Sequence, residues 1–236
     1  MSTFQPSRRT FLASGLAVGG TLLTGPTALA ESLTAASTPA TTPSEALARL
    51  KAGNVRFQKG KGSATANVSV RRAETVEGQS PFAAILGCAD SRLPPELVFD
   101  QSIGQLFVVR VAGNTVAAPA LVGSVEYATE VLKSSAVVVL GHDDCGAVKA
   151  AIDVVTKGKT FPGELGGFIE PIIPAVESVA DGPPDQLLQA AIVANIEQSV
   201  AALKAETLLS PAVASGAVQV VGAEYRLHSG KVDFLT

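Results

Sequence analysis

Residues 136–148 read AVVVLGHDDCGAV: an apolar, largely β-branched run, then glycine, histidine, two aspartates, cysteine and glycine. A continuous apolar run this short, bounded by glycine, suits a strand buried on both faces of a parallel sheet. CGAVKAAIDVV (145–155) then resumes with helical spacing, so His142 and Cys145 fall on a strand-to-helix turn. FAAILG (82–87) and LFVVRV (106–111) have the same strand character, and CADSR (88–92) follows the first of them directly. Helical patterns separate these runs over 117–132 and recur over 184–206, where Leu187, Leu188, Ala191, Ile192, Ile196, Val200 and Leu203 form one stripe. VQVVGAEYRL (218–227) reads as a further strand, with HSGKVDFL turning back as an antiparallel hairpin. Alternating strands and helices predict one α/β domain over 43–236, with a mostly parallel central sheet flanked by helices.

At the start of this domain, Thr42, Pro43 and Glu45 form a capping box that starts a helix running to about Lys59, with Leu47, Leu50 and Phe57 on one stripe. Residues 59–70 read as a loop, and the Ser/Thr/Ala/Pro-rich 31–42 as a flexible linker. SRRTFL (7–12) pairs Arg8 and Arg9 ahead of an apolar stretch to Leu29, and ALA (28–30) supplies a small-x-small cleavage signal. This resembles a twin-arginine signal over residues 1–30, read by the export machinery for folded proteins, which places the product in a periplasm or thylakoid lumen. The chain is 47% hydrophobic with a formal charge of −3, and cleavage removes two arginines and no acid. An apolar, acidic product excludes wholesale disorder and gives no footprint for nucleic acid.

Open parallel sheets form their sites beyond the carboxyl ends of the strands. CADSR begins where one strand ends and HDDC where another ends, so two distant segments deliver polar residues to one rim. Cys88, His142 and Cys145 are ligand types that suit zinc, and three protein ligands leave a fourth position for water. Cys145 opens a helix, whose N-terminus favours a thiolate. Gly146 would let the backbone pass close to the metal. Asp90 can either close the site as a reversible fourth ligand or, held by a bidentate Arg92, accept a hydrogen bond from metal-bound water. In an oxidising compartment the two cysteines also admit a Cys88–Cys145 disulfide, which would leave His142, Asp90 and Arg92 unexplained. Asp143 and Asp144 read as solvated loop residues, Tyr225 and Phe234 as core, and His228 as a surface turn residue.

CADSR followed by GHDDCGAV resembles the β-class carbonic anhydrases, and the likeness extends through PPELVFDQSIGQLFVVRVAGN (94–114) and GSVEYA (123–128). The resemblance implies four parallel strands plus a fifth, antiparallel edge strand, and one zinc ion per subunit on Cys88, His142 and Cys145. Asp90 and Arg92 would be the catalytic dyad interconverting carbon dioxide and bicarbonate. It implies a homodimer or higher even oligomer, with active sites along the interface and the N-terminal helical arm embracing the partner. Gln79 corresponds to a substrate-binding amide, and Phe107, Ala112 and Tyr127 to the apolar lining. Members regulated by non-catalytic bicarbonate carry a tryptophan where this chain has Ile85, so Arg110 belongs here to an incomplete regulatory set. Two other functions share this ligand set: hydrolysis of carbonyl sulfide or carbon disulfide, and a non-catalytic zinc module closed by Asp90.

Overall fold

Thr42 opens the part of the chain that the computed structural model describes, residues 42–235. The signal expected at 1–30, and the linker at 31–42 apart from Thr42, lie outside those residues. The Thr42 hydroxyl accepts from the Glu45 N–H (3.2 Å) and the Glu45 carboxylate from the Thr42 N–H (3.0 Å). Two orphan donors at the helix start are thereby satisfied reciprocally. Helix α1 (Pro43–Gln58) uses its apolar face within its own chain, where Ala46, Leu47 and Leu50 are buried. Helix α2 (Val68–Glu74) starts inside the stretch expected to be a loop. It buries none of its residues, so no amphipathic stripe announced it.

The sheet contains β1 (Ala83–Cys88), β2 (Leu106–Val111), β3 (Ala136–His142), β4 (Gln219–Tyr225) and β5 (Val232–Phe234), in the order β2-β1-β3-β4-β5. The first four are parallel and β5 is antiparallel to β4, the sheet that the sequence predicts. Every residue of β1 and β3 is buried, as strands covered on both faces must be. β2 departs from that expectation: it forms an edge, and only Val109 on it is buried in the single chain. The connections include α3 (Pro95–Val98), α4 (Pro119–Glu126) with a π turn at Tyr127–Val131, and α5 (Gly146–Lys157). The short α6 (Leu165–Ile169) and α7 (Ile173–Glu177), then α8 (Leu187–Ala205) and α9 (Leu209–Ala214), lead to β4.

Two glycines set how closely α8 lies on the sheet. Gly222 pairs with Val139 and Gly141 with Glu224, so the two glycines share one face of adjacent strands. A Cβ at Gly141 would stand 2.6 Å from Ile196, and one at Gly222 would stand 2.7 Å from it. Ile196 therefore fills a notch that any side chain would close.

Asn54 of α1 is 3% exposed and links three segments. Its amide donates to the carbonyls of Val98 (3.1 Å) and Gly230 (2.8 Å), and its oxygen accepts from the Val232 N–H (2.9 Å). Asn54→Ala leaves buried backbone groups unpaired and should cost about 3 kcal/mol. A lower urea midpoint at unchanged m-value checks this.

Candidate metal centre

Parallel register sets the site. Cys88 lies opposite Val111, Gly87 opposite Leu140, and His142 two residues beyond Leu140, so the carboxyl ends of β1, β2 and β3 meet on one rim. There the ligand atoms of Cys88, His142 and Cys145, all buried, lie within 4.8 Å of one another. The two sulfurs are 4.0 Å apart and both cysteines are free, so the disulfide alternative is not formed. On a tetrahedral zinc with Zn–S bonds of about 2.3 Å, two thiolates stand about 3.8 Å apart.

His142 Nδ1–H donates to the Asp143 carbonyl at 2.7 Å. A carbonyl can only accept, so the lone pair of the neutral ring is on Nε2, which is buried with no partner among the described residues. An orphaned, buried imidazole nitrogen facing two sulfurs fits a metal ligand whose other nitrogen is fixed by the backbone. The loop that holds it is itself tied: the Asp143 N–H donates to the Tyr225 carbonyl (3.1 Å), and Asp143 Oδ1 accepts from the Leu227 N–H (2.8 Å). Asp143 is thus a loop anchor rather than the solvated residue that the sequence suggests. Asp144, exposed and in the left-handed region (φ 59°), pairs with Lys149.

The hydrogen bond from Cys145 is the largest influence on Cys88; it overcomes burial and, with His142 and the Gly113 N–H, brings the Cys88 thiol down to about 4. The same bond, then burial, pushes Cys145 far up, against the pull of the Ala147 and Val148 amides at the start of α5. For His142, burial opposes the imidazolium but is outweighed by the neighbouring Cys88 sulfur, and the ring titrates above its ordinary value. Beside them, Asp90 is gripped by Arg92. Oδ1 accepts from the Arg92 N–H and Nε–H (both 2.9 Å), and Oδ2 from Nη2 (2.8 Å). That hydrogen bonding to the Arg92 side chain holds the Asp90 carboxyl well below the usual carboxylate range. Asp90 Oδ2 is 3.7 Å from His142 Nε2, which puts the carboxylate at the mouth of the ligand group.

Gln79, Phe107 and Tyr127 are not brought to this rim by the single chain. Phe107 and Tyr127 do meet, with ring centres 6.0 Å apart. Phe107, however, lies opposite Ala84, four residues before Cys88 and so about 13 Å down the sheet. Gln79 is exposed before β1, at the end opposite Cys88. Ala112 opens the turn Ala112–Asn114 that follows β2, beside Gly113. At Gly146 a Cβ would meet nothing within 4 Å, so the single chain makes no steric demand for glycine there. His228 is exposed, as expected of the β4–β5 turn.

The sequence reading missed Gly113 altogether and gave Arg110 only a place in an incomplete regulatory set. The Gly113 N–H donates to Cys88 Sγ at 3.4 Å, a bond that the glycine–asparagine turn signal after β2 could have suggested. Arg110 donates to the carbonyls of Cys88 (3.0 Å) and Asp90 (2.6 Å), bracing the loop between ligand and carboxylate. The thiol shifts also have a measurable consequence. Metal binding needs both thiolates and a neutral imidazole. Cys88 is already ionised at pH 8 and Cys145 is not, so zinc uptake by metal-free protein should release at least one proton there. Release should grow as the pH falls through the raised His142 value, and zinc affinity should fall with it. Calorimetry in buffers of different ionisation enthalpy counts these protons.

The carbonic anhydrase family profile matches residues 83–232. Carbonic anhydrase 2 of Mycobacterium tuberculosis (strain CDC 1551 / Oshkosh) is 40% identical over 197 residues, 82% of this chain and 93% of that protein. The carbonic anhydrase of Mycolicibacterium smegmatis is 35% identical over 199 residues, 83% of this chain and 94% of that one. Among solved structures, the Coccomyxa β-carbonic anhydrase in complex with acetazolamide superimposes with a TM-score of 0.65 at 28% identity, covering 77% of this chain and 82% of that one. On its buried Cys–His–Cys group, its sheet and these likenesses, the chain belongs to the carbonic anhydrase family, in the β class.

Proposed function

We infer that this chain catalyses the zinc-dependent, reversible hydration of carbon dioxide to bicarbonate and a proton. The observation that carries the reading is the buried Cys88–His142–Cys145 group with the Asp90–Arg92 pair at its mouth. Cys88, His142 and Cys145 would hold the ion. Zinc held there would supply Lewis-acid chemistry, lowering the pKa of water so that a nucleophile is available at moderate pH.

Asp90 keeps its charge because Arg92 stabilises the carboxylate, so it can accept a hydrogen bond at the site and donates none. Arg92 fixes both oxygens, leaving the carboxylate little freedom to rotate. Two thiolates cancel the formal charge of the metal, and the neighbouring Arg92 and Arg110 offset the cost of adding an anion. The other histidine, His228, is exposed on the β4–β5 turn rather than buried among the ligands, and we assign proton release to buffer or water.

The substrate offers no charge, which suits an apolar wall. Phe107, Tyr127 and Gln79 sit away from their own rim, on or beside the half-exposed β2 flank of the sheet, and Tyr127 is 46% exposed. We place them in the site of an adjoining subunit, which makes an even-numbered assembly the working unit. The paired Arg8 and Arg9 and the cleavage signal after Ala30 support export of the folded chain, which lets zinc load first, by the twin-arginine machinery to a periplasm or thylakoid lumen.

Stopped-flow carbon dioxide hydration by the zinc-loaded chain tests the function. The rate should track bound zinc and still be rising between pH 7 and 9, because the neutral ligand set places the ionisation at the metal above the roughly 7 of a three-histidine site. Asp90 remains ionised throughout that window and contributes nothing to the slope. Cys145→Ala should lose zinc and activity together. Asp90→Ala should keep zinc and lose about 10- to 100-fold in kcat/KM; loss of zinc from this variant would mark a structural site instead. Replacing Arg8 and Arg9 by Lys should leave the product in the cytoplasm, as cell fractionation would show.

A further inference from the structure

We propose that Asn195, in the middle of α8 and far in sequence from both ligand segments, is a positioning residue for the metal centre: it holds the Gly113 carbonyl, and so fixes the residue whose own N–H donates to the Cys88 sulfur. The inference rests on Cys88 being a zinc ligand. Asn195 Nδ2 donates to the Gly113 carbonyl at 2.8 Å, and the Gly113 N–H donates to Cys88 Sγ at 3.4 Å. One residue is thus gripped by its carbonyl from the helix and grips the thiolate through its amide.

The surroundings argue that this bond is the reason for an asparagine here. Asn195 is 1% exposed, and Ala191, Ile192 and Ile196 beside it on the helix are at most 2% exposed. Its Oδ1 is buried with no partner among the described residues. A half-satisfied buried amide costs stability that an apolar residue of similar shape would not, so its single bond needs another explanation. The approach is also built in: the glycine notch at Gly141 and Gly222 that admits Ile196 carries the adjacent Asn195 in with it.

Gly113 could not hold this turn unaided. It sits at φ 74°, and a Cβ there would lie 2.5 Å from Ile172, so the peptide is confined on one side by packing. The next residue, Asn114, is also left-handed (φ 47°) and 2% exposed, and its Nδ2 likewise lacks a partner. Glycine adopts this conformation freely, but for Asn114 it carries a cost that the surroundings must offset. The Asn195 bond is the polar part of that compensation. An N–H donated to a thiolate draws electron density from the sulfur, which leaves a bound metal more electron-poor and steadies the ligand's orientation.

The test uses the full chain loaded with zinc, or with cobalt(II) as a spectroscopic replacement. Asn195→Leu keeps the volume and removes the donor. It should still take up about one metal per chain, yet release zinc to a chelator about tenfold faster than the parent. In the cobalt form its thiolate-to-metal charge-transfer absorption should move to longer wavelength, since an unbonded thiolate gives up charge more readily. Ser199→Ala, on the same buried face of α8, should change neither readout. If Asn195→Leu does not fold, Asn195→Ser, too short to reach the Gly113 carbonyl, is read the same way. Parent-like release and absorption in the Asn195 variant, or an equal change in Ser199→Ala, overturns the inference. If the parent chain itself takes up no zinc or cobalt, the metal-centre reading fails and this one with it.

Discussion

Three parallel strands ending level with one another are the constraint on which the rest depends. The hydrogen-bond register that sets Cys88 against Val111, and Gly87 against Leu140, puts a thiol, the Gly113 turn and an imidazole at one height. A slip of one residue in any strand would turn its side chains to the other face of the sheet and dismantle the group. That register is protected by burial: β1 and β3 have no exposed residue, so no shifted pairing could keep their apolar chains dry.

A cluster of two thiols and an imidazole under cover has an electrostatic problem that the chain meets with backbone and guanidinium groups. The helix α5 amides face Cys145, the Gly113 N–H faces Cys88, and the Asp143 carbonyl fixes His142. Arg92 neutralises Asp90 at the mouth while Arg110 braces the loop from behind. Few side-chain partners lie beside the ligands themselves, so the donor atoms are held mostly by peptides. A peptide is only as steady as the packing around it, which is why remote elements such as α8 bear on the centre.

Much of this was legible in advance. Continuous β-branched runs named the strands to within a residue or two, because a strand buried on both faces has no alternation to lose. The capping box at Thr42 and the stripe of α8 likewise announced themselves, since both are local patterns. Helix α2 did not, because a helix that buries nothing carries no periodic signal. β2 was read as doubly buried, but its apolar character belongs to an edge that the single chain leaves half exposed. Asp143 passed for a loop residue because its partners, Tyr225 and Leu227, are more than eighty positions away.

By itself the sequence determined the class of fold, the candidate metal ligands and the neighbouring carboxylate–guanidinium pair, because those follow from residue type at short spacing along strand ends. Only the tertiary structure decided that the sulfurs stand 4.0 Å apart and unbonded, that His142 presents a bare nitrogen, and that Phe107 and Gln79 sit away from their own rim. It alone brought Asn195 within reach of Gly113, 82 residues away. Such relations depend on register and close approach between distant segments, and no spacing along the chain encodes them directly.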